Sequence, residues 1–523
     1  MSSYEWKLAD IFQSGMIFQR EKEILIWGYA PPGTVISAAF YKGAPYEGGI
    51  PFLSGEGVAD ENGNFQLRLP PQRAGSGYCL LVSASQMSSA PILLENLCFG
   101  DIWLAGGQSN MEFFLKYDRD WEKVKGLPRN PDIRMYNVPQ RAFEGHTTHN
   151  TFGYGTWFDD SDPKIAAFSA PAYSFARSIQ ASLNIPIGII GCNWGGSSAS
   201  AWVPKKVLDT PALSLYLKEY EDAVSKTSPE KLKEESLSAW KFEDSAKHGA
   251  DFEPLLYGRS REWQLDYMKQ HADDPVVPMG PYHFNRPCGL YHTMLSKIIP
   301  FPLKGVLWYQ GESDAGDRAF VYDKLLTGLI ASWRSAWNDE LPFLLVQLAP
   351  FGIWLDCDST NYRIVRQKQE EAAQNIPHVY LTSIMDIGSY YDIHPKEKLE
   401  VGRRLALLAR GHIYGEAGLL CDPPKAIRAI LQKDGQLAVS FAHAEGLSIG
   451  EEASDLEITA GSLSLKPAAV KAEGNHILLF LPDGFIPERV SLGWHDYGEI
   501  YIHNRAGLSA APFSLQIEQE VSE

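Results

Sequence analysis

Between about residues 98 and 413, short apolar runs alternate with longer amphipathic stretches, and this alternation restricts the fold more than any other feature of the chain. The runs at 102–105, 185–190, 304–309, 341–347 and 379–384 read as buried strands. Helical patterns occupy 166–183, 322–337 and 362–374. Strands that are apolar throughout, with helices between them, need cover on both faces, which predicts a doubly wound parallel sheet. Ligands of such sheets bind in the loops after the strands' carboxyl ends.

The flanks follow a different period. Residues 1–97 carry alternating runs such as Leu25-Trp27-Tyr29 and Phe65-Leu67-Leu69, separated by turns such as Pro31-Pro-Gly33. That spacing predicts a small β-sandwich. From 414 to 523 short β runs return, with turns at Lys433-Asp-Gly435 and Pro482-Asp-Gly484. With 523 residues the chain exceeds what one core usually supports. The expectation is three domains, at 1–97, 98–413 and 414–523, the middle one carrying an insertion at about 205–280. The insertion is polar and charge-rich, and reads equally as a substrate lid or as a solvated helical decoration.

A net charge of −17 argues against nucleic acid or an anionic membrane surface as partner. The six cysteines are scattered without a CxxC pair, so they read as buried thiols rather than zinc ligands. No basic segment followed by an apolar run opens the chain, and no stretch of about 18 apolar residues occurs. The expected compartment is the cytoplasm as the sequence stands, or the periplasm or exterior if a leader has been removed.

The chemistry concentrates in four stretches. Gly107-Gln-Ser-Asn-Met111 follows the 102–105 strand and holds Ser109 where a nucleophile is both rigid and accessible. A helix N-cap is the structural reading of the same serine. Met111 occupies the place of the second glycine of a nucleophile elbow, so the ordinary α/β-hydrolase motif is absent. Asp392 and His394, in Tyr391-Asp-Ile-His-Pro395, share a face if the segment is extended. Pro395 suits the first turn of the helical pattern that runs on to Leu408. A serine losing its proton needs a base near neutrality, a carboxylate to hold the imidazolium, and preorganised donors for an oxyanion. The glycine-rich loops Gly195-Gly-Ser197 and Gln310-Gly-Glu-Ser-Asp314 are the sources of such donors. Structural readings stand beside these: Glu312 and Asp314 as caps, Gly195 and Gly196 as close-packing residues, and Trp194, Trp202 and Trp308 as core. His146 and His149 form an HxxH without nearby carboxylates, so no metal site is expected there.

Together Gly107-Gln-Ser-Asn-Met111, Trp194-Gly-Gly-Ser197, Trp308-Tyr-Gln-Gly-Glu-Ser313 and Asp392-Ile-His-Pro395 resemble the block motifs of the sialate O-acetylesterase family of SGNH hydrolases. Gly15-Met-Ile-Phe-Gln-Arg20, Ile26-Trp-Gly28 and 504–513 extend the resemblance over nearly the whole chain, apart from 205–280. It implies an SGNH-type doubly wound α/β domain flanked by β-sandwich-like regions, and a serine esterase acting on O-acetylated sugars without metal or organic cofactor. By position Ser109 would be the nucleophile and His394 the base, with N–H groups of Ser109 and of Gly195 or Gly196 as oxyanion donors. Two departures matter. The wider pattern has its acid three residues before the histidine, where this chain has Tyr391. In some related sugar acetylesterases with the shorter spacing, the glutamate of the Gln-Gly-Glu loop takes that role. The third member is therefore Asp392 or Glu312, with Asp392 taken first. The wider pattern also has an oxyanion asparagine where Ser313 stands, which leaves Gln310 or Ser313 for that task. Other readings are an acetylesterase of xylan or another plant polysaccharide, and a catalytically inert carbohydrate-binding protein. Oligomeric state is not assigned.

Overall fold

The computed structural model describes residues 6–43, 50–85, 87, 90–146, 153–246, 258–450 and 455–520. The architecture is mixed α/β with several sheets. Packing gathers the chain into two compact units: Met1–Ala250 with Val276–Leu307 and Gly328–Phe343, and Asp251–Pro275 with Trp308–Thr327 and Leu344–Glu523.

The first unit is built along one long strand, Ile92–Gly107. Its first half pairs antiparallel with Gly75–Ala84, which in turn pairs with Val35–Lys42. Its second half pairs in parallel with Ile187–Asn193, and that strand with Ile133–Asn137. No glycine–proline turn interrupts 97–98, so the strand runs from the β region straight into the α/β region, and every residue from Leu97 to Gly107 is buried. An aromatic cluster of Phe12, Phe18, Trp27, Phe40, Phe99 and Phe301 fills the β region. Rings of this kind contribute area burial plus about 0.5–1.5 kcal/mol per well-placed pair.

The helix expected over 166–183 spans Ala170–Leu183. Asp162 caps a separate 3₁₀ turn at Pro163–Ala167, and Ser169 then caps the helix by accepting from the Ala172 N–H. Two capping side chains seven residues apart thus divide what the apolar period alone runs together. Asn184, in the left-handed region at φ 51°, ends the helix.

In the second unit Gln347 N–H donates to Thr382 O beside the Val379–Thr382 strand. Helix Tyr362–Asn375 supplies the cover expected from its apolar stripe. The C-terminal part forms an eight-stranded sheet among the described residues, in which Phe513–Gln519 pairs in parallel with Lys425–Leu431. Leu437, Val439, Phe441, Ile458, Ile477 and Leu492 lie in its core.

Two further expectations are corrected. The helix placed at Pro395 begins at Lys398. The cysteines are free, but Cys357 is exposed rather than buried. Among the described residues no helix is long and apolar enough to cross a membrane.

Candidate active site

Ser109 is the first residue of a one-turn helix, Ser109–Glu112, that starts where the long strand ends. Gln108, not Ser109, holds the N-cap position. Ser109 is half-buried between the buried Gln108 and Asn110. Gly195 packs against it: a Cβ at Gly195 would stand 3.3 Å from the Ser109 Cβ and 3.4 Å from Glu112 Oε2. The absent side chain is what lets the two loops approach.

Glu112 organises the surroundings of Ser109. Its Oε2 accepts the Gly195 N–H at 2.7 Å, and its Oε1 accepts from Gln140 Nε2 at 2.9 Å and from the Tyr154 hydroxyl at 3.4 Å. Gln140 also donates to the Asn193 carbonyl, on the strand that leads into the glycine loop. Burial, then the Glu112 charge, pushes the Tyr154 phenol well above its ordinary range, so it stays a donor. Gly196 follows at φ +75°, beyond the bond that engages Gly195. Trp194 lies face to face with Phe284, ring centroids 5.2 Å apart, and Asn285 Oδ1 accepts the Ser198 N–H at 2.7 Å. The 283–286 segment therefore braces the glycine loop from behind. Trp194, Trp202 and Trp308 are all buried.

His394 belongs to the second unit and is buried. The segment that carries it is a bend rather than extended chain. Asp392 Oδ1 accepts the His394 backbone N–H at 2.8 Å, which curls the chain and carries it through further bends to Glu397 before the helix starts. Oδ2 accepts the Gly258 N–H at 2.6 Å. Held at both oxygens, the carboxylate presents Oδ1 to the imidazole, 3.6 Å from Nδ1. That is ion-pair distance, longer than a hydrogen bond. Trp354 stands edge-on to the imidazole at 5.0 Å. Burial lowers the His394 pKa from its ordinary 6.5; Asp392 opposes the shift and the Lys398 charge adds to it. The ring is thus neutral at pH 7 and able to take a proton.

In the Gln-Gly-Glu loop, Glu312, Ser313 and Asp314 form a 3₁₀ turn. Gln310 is buried, its Nε2 donating to Asp314 Oδ2 at 2.6 Å and its Oε1 accepting from the Tyr322 hydroxyl at 2.9 Å. These bonds commit its amide to holding the loop. Ser313 is half-buried and accepts from Arg318 through its carbonyl, at 3.4 Å. One oxygen of Glu312 is buried. Besides burial, the Glu312 charge raises the phenols of Tyr309 and Tyr362. Lys398, itself buried, sets its ammonium 5.4 Å from the Tyr309 ring centroid.

The family model for carbohydrate esterases described as sialic acid-specific acetylesterase matches residues 99–239 and 282–409, more than half of the chain. The chain belongs to this family of carbohydrate esterases. Sialate O-acetylesterase of Rattus norvegicus is 22% identical over 452 residues, spanning 80% of this chain and 76% of its own. That of Mus musculus is 22% identical over 469 residues, spanning 83% and 79%. A crystal structure of a carbohydrate acetylesterase from Xanthomonas citri is 25% identical, with a TM-score of 0.72 over 98% of this chain and 99% of that one.

Two residues of this carbohydrate esterase escape sequence reading. Glu112 directly follows the Gly-Gln-Ser-Asn-Met motif, and its only signal is a carboxylate in the first turn of a helix. Gln264, on helix Arg261–Gln270 within the 205–280 stretch, is fully buried. Its Nε2 donates to the carbonyls of Tyr391 (2.7 Å) and Arg259 (3.1 Å). Its Oε1 accepts from the Leu355 N–H (2.9 Å) and from Arg261 (3.2 Å). One amide therefore fixes both the residue preceding Asp392 and the residue following Trp354. His146 accepts the Ala142 N–H and packs on Phe143 and Trp240, while His149 lies outside the described residues.

Proposed function

We propose that this esterase removes O-acetyl groups from sialic acids through an acetyl-enzyme on Ser109. The observation that carries the chemistry is the buried His394 imidazole, kept neutral by its surroundings and faced by an Asp392 carboxylate held at both oxygens. In this reading His394 takes the Ser109 hydroxyl proton as Oγ adds to the acetyl carbon. The proton then passes to the sugar oxygen as the C–O bond breaks. Water, deprotonated by the same imidazole, attacks the acetyl-enzyme; the Oγ–C bond breaks, the imidazolium returns the proton to Ser109 Oγ, and acetate leaves. Asp392 is the third member. The oxyanion donors are the N–H groups of Ser109 and Gly196, since Glu112 already engages that of Gly195. The α/β part is read as an SGNH-type doubly wound sheet, which the parallel pairing of Ile187–Asn193 on both its sides supports.

Sialate as the acyl-bearing sugar is supported by the family description and by the names of the mammalian relatives. Hydrolysis of p-nitrophenyl acetate should be lost in Ser109→Ala; undiminished hydrolysis refutes the nucleophile. Acetate release is then compared between O-acetylated sialic acid and acetylated xylan. Faster release from xylan moves the reading to a plant-polysaccharide acetylesterase.

A further inference from the structure

The helix that follows the His394 loop does not end in α geometry. Lys398–Leu408 passes into a single π-helical turn at Ala409–Ile413. Turns of this kind recur at functional sites, because the wider turn re-aims a side chain. Here it carries His412 to Cys421 and Asp422. His412 Nε2 is 2.8 Å from Asp422 Oδ1. Cys421 Sγ is 3.5 Å from His412 Nε2 and 3.4 Å from Asp422 Oδ2. One ligand atom from each residue can be chosen so that all lie within 4.8 Å of one another.

We propose that His412, Cys421 and Asp422 bind a borderline-soft divalent cation, Zn²⁺ by preference. Tetrahedral Zn²⁺ with one sulfur, one nitrogen and one oxygen at the usual bond lengths sets its ligand atoms about 3.3–3.8 Å apart. Both sulfur distances already meet that span, but the sulfur faces Oδ2 and the imidazole Oδ1, so the carboxylate must turn to offer one oxygen to the ion and the nitrogen–oxygen pair must open by about half an ångström. A thiolate with an imidazole selects Zn²⁺ over Mg²⁺ or Ca²⁺. A His–Asp hydrogen bond explains the shortest of the three contacts, but it does not call for a thiol set against both partners.

The surroundings hold the three groups in place. The His412 ring lies flat on Tyr380, centroids 4.1 Å apart and planes 12° from parallel. Gly411 admits the sulfur: a Cβ there would fall 2.3 Å from Cys421 Sγ. Asn504, buried, donates to the carbonyls of Asp422 and His443 at 3.1 and 3.0 Å, tying the two loops together. His443 Nδ1 lies 4.0 Å from Asp422 Oδ2, near the carboxylate but beyond hydrogen-bond distance. The His412 and Asp422 side chains are 28% and 25% exposed, which leaves an entry path and a fourth coordination position for water. A cation there joins the end of the helix to the loop that opens the C-terminal sheet at Lys425.

The test uses tag-free full-length protein, stripped with a chelator and titrated with ZnCl₂ against a chromophoric competitor. The expected result is one Zn²⁺ per chain, with Cys421→Ser and Asp422→Asn each weakening binding by at least about tenfold. Co²⁺ in place of Zn²⁺ should give a thiolate charge-transfer band that Cys421→Ser lacks. Zn²⁺ should raise the thermal midpoint of the wild type and not that of either variant. If Cys421→Ser does not fold, the nearly isosteric Asp422→Asn carries the comparison. Less than one Zn²⁺ per chain, equal affinity in wild type and variants, or equal binding of Mg²⁺ overturns the proposal.

Discussion

Replacing Asp392 by Asn tests the proposed third member directly. Asp392 accepts two backbone N–H groups, from His394 at 2.8 Å and from Gly258 at 2.6 Å, one at each oxygen. Asparagine keeps one acceptor and turns an NH₂ on the other N–H, so one buried donor loses its partner at a cost of about 1–3 kcal/mol. The larger loss is electrostatic. The Asp392 and His394 side chains are 9% and 5% exposed, so solvent screens the pair little, and Oδ1 stands 3.6 Å from Nδ1. At that distance and an effective dielectric of about 20, carboxylate and imidazolium attract by roughly 4–5 kcal/mol. In the proposed mechanism the imidazolium forms only as the hydroxyl proton transfers, so this is stabilisation of the transition state, worth about a thousandfold in kcat. The paired variant is Glu312→Gln, whose carboxylate acts on Tyr309 and Tyr362, and a fall in kcat within about tenfold is expected for it. The assay is steady-state hydrolysis of p-nitrophenyl acetate and of an acetylated sugar, with thermal midpoints of each variant as control for folding. An Asp392→Asn enzyme within tenfold of wild type, beside an inactive Glu312→Gln, refutes the reasoning.

Because burial holds the His394 pKa below 6.5, the acid limb of kcat/KM should lie below that pH; Lys398→Met removes a charge that lowers it further, so the limb should move to higher pH. An unmoved limb separates Lys398 from the imidazole. Gln264→Met keeps the volume but strips every bond that ties Tyr391 and Leu355; kcat should fall with KM nearly unchanged, and a change confined to KM speaks against a positioning role. Asp386 is held at about 2: burial raises it, but hydrogen bonds from Arg404 and His503 outweigh burial. Its folded value lies below the unfolded one, so it contributes about 2 kcal/mol above pH 3.8 that is lost as pH falls towards 2. Asp386→Asn should therefore lower the thermal midpoint at pH 7, and the gap to wild type should narrow below pH 3.8.

The helix at Tyr322–Trp337 matches its sequence pattern at both ends, and Tyr362–Asn375 exceeds its pattern by one residue. In both, an apolar stripe of helical period is long enough to outvote local chemistry. The pattern misleads where a polar side chain intervenes. Ser169 starts its helix later than the apolar period does, and the Asp392 carboxylate bends the chain where Pro395 favours an early helical start. Period reports which face is buried. It does not report where a carboxylate will capture a nearby N–H, because extended and bent alternatives bury the same residues.

The site divides along the same line. Ser109 and His394 stand out as candidates because each lies at a local boundary, one after a buried strand and one before a proline. The groups that position them come from far along the chain: Gly195 lies 83 residues from Glu112, Tyr391 127 from Gln264, and Gly258 134 from Asp392. None of these pairings leaves a periodic trace, since each is a single polar contact between segments whose own patterns are complete without it. The 205–280 stretch shows the consequence. Its charge and low apolar content suit a lid or a solvated appendage, yet part of it packs Gln264 and Gly258 behind the histidine loop. A helix with most of its residues accessible is compatible with one fully buried amide. Deleting residues 258–270 should therefore cost catalytic rate rather than substrate range, the opposite of what removal of a lid would do.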